Sequence, residues 1–405
     1  MEQDHKELGR ILELFSFNRN VPGTVYWWPK GTTLFDLIVN DLKKRLAEDG
    51  YQDLKTAPII DVETLKKSGH FDNYREKLFF CGNEKEMKEE KVDWCLKPMS
   101  CPGSIKIFNE QMHSYKDLPL KFSEFGTVFR YEQPGEVNGL LRTRVITQDD
   151  AHIYCHEDQI ETELIKLIDF IHETYKRYGF SEIRVELSTR PEKSIGTDQE
   201  WQKAEEGLKK ALEEKKIDYT ENKGDGAFYG PKIDFHVKDS LGRSWQMGTI
   251  QLDFATAERL EANYIDEKGK KQNPVIIHCA ILGSVERFMA VLLESTGGAL
   301  PTWLSPVQAI ILPVSEKHLN YAKKVTTMLS SQTGRVPDLG SIRCEIDTRN
   351  ESVGKKIRDA EIQKVPYIIV VGDKEEKESN ITVRTRGSKD LRVQKIEEFS
   401  KELNG

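Results

Sequence analysis

The sequence has no run of about 18 consecutive apolar residues, which argues against a membrane-spanning helix. It also lacks the basic start and apolar core of a signal peptide, because the stretch Met1–Phe15 is acidic and amphipathic. Its six cysteines are scattered without a CxxC pair, so a disulfide framework is not expected. These absences predict a cytoplasmic protein with reduced thiols, although a processed protein of the mitochondrial matrix would show the same features.

A strong excess of charge of either sign is also absent, since the net charge is −7. Residues 306–405 nevertheless carry 18 Lys and Arg against 15 Asp and Glu, a net charge of +3 that leaves −10 for the rest. A mildly basic tail on an acidic body permits contact with RNA through the tail. Ordinary variation in surface charge explains this count equally well.

The chain is too long, at 405 residues, for one ordinary hydrophobic core, so two domains are expected. Two glycines and two prolines within Gly297–Gln308 indicate a linker. After it, strand-like runs such as AIILPV and YIIVVGD alternate with segments of helical spacing, and LRVQKIEEFSKELN predicts a closing helix. This alternation is typical of a small α/β domain with a largely parallel sheet. We therefore expect domains at residues 1–300 and 301–405.

The first 300 residues predict an α+β domain whose sheet is antiparallel. A long helix follows His156, with apolar residues at spacings of three and four, and Gly179 ends it. Strand candidates include KFSEFGTVFRYE, RVITQDDAHIYC, IRVEL, KIDFHVKD, SWQMGTIQLDF and PVIIHCAIL. Several alternate polar with apolar residues, so one face of the sheet is expected to carry a polar site.

Two strands of roughly eight residues, joined by a turn at Pro134 and Gly135, are predicted in RYEQPGEVNGLLRTRVITQDDAHIYC. Arginines on opposite strands of such a hairpin could clamp a phosphate chain. A surface ladder of ion pairs is the commoner explanation of Arg and Glu on one strand face. A second anion-binding candidate is the helix that begins after Gly283 and Ser284, because its first turn holds Glu286 and Arg287.

These segments also resemble a known family. FRYE followed by GLLRTR resembles motif 2 of class II aminoacyl-tRNA synthetases, and GSVERF resembles motif 3. The ordered segments KPMSCPG, QDDAHIYC, GDGAFYGPKIDF, GTIQLDF, IIHCAILGSVERF and PTWLSPVQ resemble the threonyl-tRNA synthetase family. TRNESVGKKIRDAE and VPYIIVVGDKE resemble its anticodon-binding domain. The resemblance covers nearly the whole chain and implies a class II antiparallel sheet with flanking helices, followed by a small α/β anticodon-binding domain.

The resemblance implies a threonine–tRNA ligase that uses ATP with Mg²⁺. Arg130 would be the catalytic residue, because it would contact the α-phosphate as the threonine carboxylate attacks it. Glu132 would read the adenine amino group, while Arg142 and Arg287 would hold the γ-phosphate end. The ATP-binding residues that the resemblance implies are Arg130, Glu132, Arg142, Gln246, Thr249 and Arg287. This reaction needs aligned groups and neutralised charge rather than a side-chain nucleophile.

The resemblance also implies one zinc ion per subunit, held by Cys101, His152 and His278. Three protein ligands leave a position open for threonine. Asp150, Tyr229 and Gln148 would bind threonine, with Asp150 accepting from its hydroxyl group. Taken singly, each histidine is more often structural, and Cys101 would be a buried thiol. In the tail, the residues that match anticodon-binding positions are Asn350, Arg358, Lys374, Glu375 and Arg384, each of which could equally be a solvated surface residue.

Several positions depart from the family pattern. Ser100 and Ser104 replace Asn and His, Cys279 stands where arginine is common, Ile146 replaces an aromatic residue, and Trp28 replaces a histidine. The alternatives are a related synthetase such as prolyl, which the Cys and His set disfavours, and a catalytically impaired paralogue that binds tRNA or protein. A homodimer formed through a motif 1 near Pro58 is implied by the family. The N-terminal editing region of many relatives is not expected in this chain.

Overall fold

The computed structural model describes residues 4–89, 91–239, 242–330 and 342–404. Among these residues, no helix combines the length and apolarity needed to cross a membrane. Contacts divide the chain into two compact units, which we call the core unit (residues 18–24 and 43–291) and the terminal unit (residues 1–17, 25–42 and 292–405). The domain boundary predicted near residue 300 stays a prediction.

The α-helices of the described residues are α1 (His5–Ile11), α2 (Pro29–Glu48), α3 (Val62–Lys67), α4 (His70–Tyr74), α5 (Glu84–Lys88), α6 (Cys101–Asn109), α7 (Ile160–Arg177), α8 (Asp198–Glu214), α9 (Thr256–Arg259), α10 (Val285–Thr296), α11 (Leu319–Ser330), α12 (Val353–Ile362), α13 (Asp373–Glu378) and α14 (Ile396–Asn404). The strands are β1 (Phe15–Phe17), β2 (Val25–Trp27), β3 (Gln52–Asp53), β4 (Ile59–Asp61), β5 (Phe80–Cys81), β6 (Trp94–Leu96), β7 (His113–Ser114), β8 (Leu120–Phe129), β9 (Val145–Cys155), β10 (Ile183–Ser188), β11 (Tyr219–Asn222), β12 (Lys232–Lys238), β13 (Ser244–Asp253), β14 (Tyr264–Ile265), β15 (Lys271–Gln272), β16 (Val275–Ala280), β17 (Ala309–Pro313), β18 (Cys344–Ile346), β19 (Tyr367–Val371), β20 (Asn380–Thr385) and β21 (Leu391–Lys395).

The core unit is built on an eight-stranded sheet with the order β11-β10-β12-β13-β16-β9-β8-β3. Its two outermost pairs are parallel and all inner pairs are antiparallel, which confirms the antiparallel fold predicted from the strand patterns. Helices α7 and α8 pack on one face, where His172 of α7 meets the ring of Phe235. Helix α7 follows His156 and is ended by Gly179, whose φ is +91°, as predicted.

The opposite face of this sheet is polar. In β9 the side chains alternate, so Gln148, Asp150 and His152 point to one face and apolar residues such as Ala151 and Ile153 to the other. His152 lies directly opposite His278 of β16. The predicted polar face therefore exists, and it spans the centre of the sheet rather than an edge.

The predicted hairpin differs in its connection. Strands β8 and β9 pair as expected, but they end and begin at Phe129 and Val145, so residues 130–144 form a long connection instead of a tight turn. The strand ladder stops because other partners take its groups: the backbone N–H groups of Arg144 and Val145 donate to the carbonyl of Gly23. The Arg144 side chain also donates to the backbone carbonyl of Glu132, at 2.8 Å. The arginines of this segment thus lie in a loop.

The C-terminal part of the terminal unit contains a five-stranded sheet with the order β18-β17-β19-β20-β21. Strand β17 is parallel to β18 and β19, whereas β20 and β21 are antiparallel, so the sheet is mixed and the prediction of a largely parallel sheet was wrong. The final segment predicted as one helix is the edge strand β21 followed by α14. Its β-branched and alternating residues before Ile396 pair with β20, which overrides their helical spacing.

Two buried carboxyl groups fasten the turn between β16 and α10 to strand β9. Asp149 accepts the backbone N–H groups of Ile281 and Leu282 at 2.7 and 2.8 Å. Glu286 accepts the N–H of Thr147 with both oxygens at 3.0 Å. Burial raises the pKa of Asp149 and of Glu286 to about 7 each. The turn that carries motif 3 is therefore held by groups that the sheet buries almost completely.

A buried ion pair lies below the start of α6. Lys97 and Glu124 are 3% and 5% exposed, and their charged atoms are 2.9 Å apart. The Thr56 hydroxyl accepts from Lys97 at 2.6 Å and donates to Glu124 at 2.8 Å. Thr56 is thus a shared hydrogen-bond partner of both charged groups, so the pair holds the segment before β4 against the end of β6 and against β8.

Lys97→Met should destabilise the protein by about 3–5 kcal/mol, because it leaves the buried Glu124 charge without its partner. The free energy of unfolding by urea measures this. Lys88→Met is the matched control, since its exposed pair with Glu84 should change stability by less than about 0.5 kcal/mol. Equal stability of the two variants would contradict a structural role for Lys97.

Glu286→Gln should flatten the dependence of stability on pH. The folded-state pKa of Glu286 is raised from 4.5 to about 7, so its favourable contribution is complete below about pH 4.5 and is lost as the pH rises through 7. The variant should remove a loss on the order of 3 kcal/mol between pH 5 and pH 8, seen by urea unfolding at both values. The exposed Glu258→Gln should leave the slope unchanged, and an unchanged slope in Glu286→Gln would show that burial does not perturb this carboxyl group.

Candidate active site

One cleft of about 580 Å³ on the polar face of the core unit gathers the predicted site residues. It is lined by all twelve residues that the family resemblance assigned to catalysis, ATP, threonine or metal: Cys101, Arg130, Glu132, Arg142, Gln148, Asp150, His152, Tyr229, Gln246, Thr249, His278 and Arg287. They come from the start of α6, the 130–144 connection, three central strands, the loop before β12 and the first turn of α10. These residues are far apart in the sequence, so local spacing did not predict that they lie together.

Cys101, His152 and His278 form a compact cluster inside this cleft. One ligand atom from each residue lies within 4.8 Å of the others, and all three side chains are buried. Two independent features of the fold bring them together. The register of β9 and β16 places the histidines side by side, with ring centroids 5.0 Å apart, and Cys101 is the first residue of α6.

The cluster has supporting partners that fit a metal site. Asp253 is fully buried and lies 3.0 Å from Nε2 of His278, which leaves Nδ1 of that ring available. The other oxygen of Asp253 accepts the N–H groups of Ala255 and Thr256 at 2.8 and 2.9 Å, so the carboxylate cannot swing away. A carboxylate behind a ligating histidine is the common arrangement around zinc in proteins.

Burial also shifts the pKa values of the groups in and beside the cluster. Burial raises the pKa of the Cys101 thiol well above its usual value and lowers the pKa of His152 well below its usual value. His70 lies 3.3 Å from Sγ of Cys101, and burial, followed by the charge of His278, lowers its pKa to about 3. A bound cation would offset the burial cost of a thiolate, because the metal is then the largest local charge.

The residues predicted to bind an amino acid surround this cluster. Asp150 accepts the backbone N–H of Ser100 at 3.3 Å, and burial raises the pKa of its carboxyl group. The Tyr229 hydroxyl donates to the side chain of Gln251, and its ring lies 4.9 Å from that of His278. The Oε1 atom of Gln148 is buried and has no hydrogen-bond partner among the described residues. The Asp150 carboxylate and the unpaired Gln148 oxygen are acceptors that suit a small ligand with ammonium and hydroxyl donors.

Three arginines also line this cleft. We call the part around Arg142 and Arg287 its arginine end, and Arg130 lies between that end and the cluster, because its charge acts on both Arg287 and Asp150. Arg130 donates through Nε to the carbonyl of Pro98 at 3.1 Å, and Arg287 donates to the carbonyls of Leu141 and Gln246 at 3.0 Å. Burial, and next the charges of Arg130 and Arg142, lower the pKa of Arg287. Like charges held together in this way favour a polyanionic ligand.

Arg142 has carboxylate partners of its own. Its Nε and Nη2 atoms lie 3.0 and 2.6 Å from one oxygen of Glu132, and Nη2 lies 3.0 Å from Glu136. Glu132 is buried, and Lys77 approaches it at 3.4 Å. The surface ion-pair alternative for this stretch is therefore half right: the pair exists, but one partner is buried in the cleft.

The departures from the family pattern have structural explanations in part. The Ser104 hydroxyl forms a 2.8 Å hydrogen bond with the Tyr154 hydroxyl, both buried. Cys279 is buried among the residues of β16, and Ile146 lines the cleft. Trp28 belongs to the terminal unit, where its indole N–H donates to Ser16 at 3.2 Å.

The five predicted anticodon residues lie on the mixed sheet of the terminal unit and its helices. Asn350 and Lys374 follow the carboxyl ends of the parallel strands β18 and β19, and both are exposed. Glu375 is tied down by the N–H of Gly372 at 3.0 Å and by Thr382 at 2.7 Å. Arg358 is exposed on α12. Arg384 lies on β20 and forms a 2.6 Å ion pair with Glu361 of α12. The structure thus places Asn350, Lys374 and Glu375 after the carboxyl ends of parallel strands, Arg358 on α12, and Arg384 on β20 in contact with α12.

Sequence reasoning missed the residues that orient the site. Asp253 and His70 contact the Cys and His cluster, and Asp149 and Glu286 hold the motif 3 turn. The segment GTIQLDF resembles the family, but the resemblance gave no role to its aspartate, Asp253. Only the pairing of β13 with β16, which a single sequence does not reveal, brings Asp253 to His278.

Comparison with known proteins gives two domain matches. Residues 82–296 match the tRNA synthetase class II core domain (G, H, P, S and T), and residues 308–405 match an anticodon binding domain. The first match covers more than half of the chain. The order of the two matches agrees with the predicted order of functions along the sequence.

Individual relatives narrow the family. A threonine–tRNA ligase of Legionella pneumophila is 46% identical over 396 residues, which cover 98% of this chain and 60% of the relative. The chain therefore spans about 60% of the length of the curated relatives it matches. The crystal structure of the RNA binding domain of a threonyl-tRNA synthetase from Cryptosporidium parvum Iowa II has a TM-score of 0.92 and 38% identity, covering 99% of this chain and 98% of that one.

A prolyl-tRNA synthetase from Giardia lamblia, solved with prolyl-adenylate, has a TM-score of 0.75 and 21% identity, covering 97% of this chain and 75% of that one. That likeness shows the fold alone. Two other matches show the family as well as the fold. These are the class II core match and the 38% identity to a threonyl-tRNA synthetase along almost the whole of both chains. The chain belongs to the threonyl-tRNA synthetase family of the class II aminoacyl-tRNA synthetases.

Proposed function

We propose that the protein activates threonine with ATP to give threonyl-adenylate and transfers the threonyl group to the 3′ end of threonine tRNA. The observation that carries this proposal is the cleft itself, which is lined both by a Cys, His, His cluster and by three arginines. The names of the curated relatives support the same activity. The fold alone would fit several amino acids, so the choice of threonine rests on the cluster and its neighbours.

The arginine end of the cleft suits ATP bound with Mg²⁺. Arg130 would contact the α-phosphate and stabilise the charge that develops as the threonine carboxylate attacks the phosphorus. Arg142 and Arg287 would hold the outer phosphates, and buried Glu132 would accept from the adenine amino group. Gln246 and Thr249 line the cleft beside them. The threonine carboxylate is itself the nucleophile, so the protein's task is alignment and charge neutralisation.

The cluster end of the cleft suits zinc and threonine. Cys101, His152 and His278 would hold the metal, and a thiolate with two imidazoles is a donor set that zinc prefers. Zinc, when bound, would supply an open coordination position for the amino and hydroxyl groups of threonine. Asp150 would accept from the threonine hydroxyl, and Tyr229 and Gln148 would orient the amino group. Valine would leave Asp150 without a donor, and such sites reject analogues that lack the hydroxyl strongly.

The terminal unit would supply tRNA recognition. Asn350, Arg358, Lys374, Glu375 and Arg384 present amide, carboxylate and cationic groups, which suit the edges of unstacked bases. A homodimer through the segment near Pro58 and a cytoplasmic location complete the proposal.

Amino-acid-dependent ATP–pyrophosphate exchange on the purified protein, with zinc quantified, tests the function. Exchange should be strongest with threonine and negligible with valine and proline. With serine it should be weaker, because the missing methyl group is worth about 1–3 kcal/mol of binding. A folded, zinc-loaded protein that shows no exchange with any amino acid would contradict the proposal and favour an impaired paralogue.

Cys101→Ser should lose bound zinc and threonine-dependent exchange together, because it removes the thiolate ligand from a three-residue site. Zinc content by atomic absorption and exchange rate are the two readouts. Cys155→Ser is the matched control, since Cys155, at the end of β9, is as buried as Cys101, and its thiol donates to the carbonyl of Val275. Retention of both zinc and exchange by Cys101→Ser would remove Cys101 from the site.

Arg358→Ala should weaken aminoacylation of tRNA without changing ATP–pyrophosphate exchange, because Arg358 is exposed on α12 of the terminal unit. We expect KM for threonine tRNA to rise on the order of 10-fold, as for loss of one base contact worth about 1–3 kcal/mol. Lys355→Ala, on the same helix, is the control. A variant whose KM for tRNA matches that of the unaltered protein would exclude Arg358 from the anticodon contact.

A further inference from the structure

A buried carboxylate outside the predicted site bridges two residues that line the cleft. Asp234 of β12 is 1% exposed. One of its oxygens accepts from Nε2 of Gln246 at 2.6 Å, and the other accepts from Nζ of Lys232 at 2.6 Å. Gln246 and Lys232 both line the cleft, whereas Asp234 does not. Among the described residues, the carboxylate therefore reaches the cleft through these two side chains.

Gln246 lies at a β-bulge between strands β12 and β13. Asp234 pairs with Thr249 and His236 with Gln246, so β13 has one residue more than β12 between these pairs. Such bulges re-aim a side chain next to a site. The bulge packs closely against the motif 3 turn at two glycines. A Cβ on Gly248 would lie 2.7 Å from the carbonyl oxygen of Ile281, and a Cβ on Gly283 would lie 2.2 Å from the carbonyl oxygen of Met247, so neither position has room for a side chain.

The hydrogen bond from Gln246 fixes which way its amide faces. A carboxylate only accepts, so the nitrogen of the Gln246 side chain must face Asp234 and the oxygen must face away from it. Lys232 adds a second constraint, because it also donates to Asp225 at 3.1 Å and thus holds Asp234 from the loop side. The backbone carbonyl of Gln246 accepts from Arg287, which places this residue at the arginine end of the cleft.

We infer that Asp234 is a positioning residue for the nucleotide end of the site, acting through Gln246. It sets the amide so that Oε1 and the second N–H of Gln246 are presented to ATP in one orientation. This inference rests on the proposed function, since it concerns the ATP that the arginines would bind. Asp234 touches no substrate and takes part in no bond making or breaking.

Asp234→Asn tests this with nearly unchanged shape. An asparagine can donate as well as accept, so the Gln246 amide is free to turn over, and KM for ATP in the exchange reaction should rise on the order of 10- to 100-fold. KM for threonine should stay within about twofold, because the cluster end of the cleft is untouched. Ser188→Ala is the matched control: Ser188 donates to the Lys232 side of the same carboxylate at 3.0 Å, so ATP binding should change little.

A double-mutant cycle separates positioning from general support of the fold. Gln246→Met should raise KM for ATP as Asp234→Asn does, and the double variant should be no worse than either single variant. Additive effects, a parallel rise in KM for both substrates, or an unchanged KM for ATP in Asp234→Asn would each overturn the inference. Asp234→Glu decides the matter if Asp234→Asn does not fold, since it keeps the charge yet displaces the acceptor and should raise KM for ATP alone.

Threonine-dependent exchange by the unaltered protein distinguishes failure of this inference from failure of the proposed function. Absence of threonine-dependent exchange in the unaltered protein overturns the proposed function. Normal exchange there, with a normal KM for ATP in both Asp234 variants, overturns only the role of Asp234.

Discussion

The register between strands β9 and β16 is the constraint on which the site depends. It sets His152 directly opposite His278, and Asp150 opposite Ala280. Because side chains alternate along a strand, a slip of one residue would turn the histidines away from the cleft and toward the helices α7 and α8. The same two strands also carry Asp149 and the start of the motif 3 turn, whose N–H groups Asp149 accepts. One pairing thus aligns the cluster end and delivers Arg287 to the arginine end.

The polar face of the sheet is costly to bury, and the structure offsets that cost by pairing. Asp253, Asp234 and Glu124 are each almost fully buried, and each accepts at least two hydrogen bonds. Their donors belong to residues that line the cleft or to the segments that hold it. Gln148, which also lines the cleft, differs from these carboxylates, because its buried Oε1 atom has no hydrogen-bond partner among the described residues.

The sequence predicted the fold where its patterns were periodic or punctuated. Helix α7 and its end at Gly179 follow from apolar spacing and from a positive φ that glycine tolerates. The errors arose where long-range partners override local pattern. The loop at residues 130–144 replaces a hairpin because Gly23 takes the N–H groups of Arg144 and Val145, and β21 replaces part of a helix because β20 offers an edge.

The twelve site residues of the core unit came from resemblance, since no spacing within the sequence relates Cys101 to His278. Asp253 and Asp234 were out of reach for a different reason: their roles are defined by neighbours on adjacent strands. A residue that acts through another leaves no local motif. Residues of this kind are found only once strand order and register are known.

The central proposal is that Cys101, His152 and His278 would hold a zinc ion, with threonine as a further ligand. X-ray absorption at the zinc edge, on the purified protein with and without threonine, measures this most directly. The account predicts one sulfur and two imidazole ligands from the protein, and a change in the light-atom shell on adding threonine but not on adding valine. A spectrum that requires a fourth protein ligand, or one that threonine leaves unchanged, would contradict it.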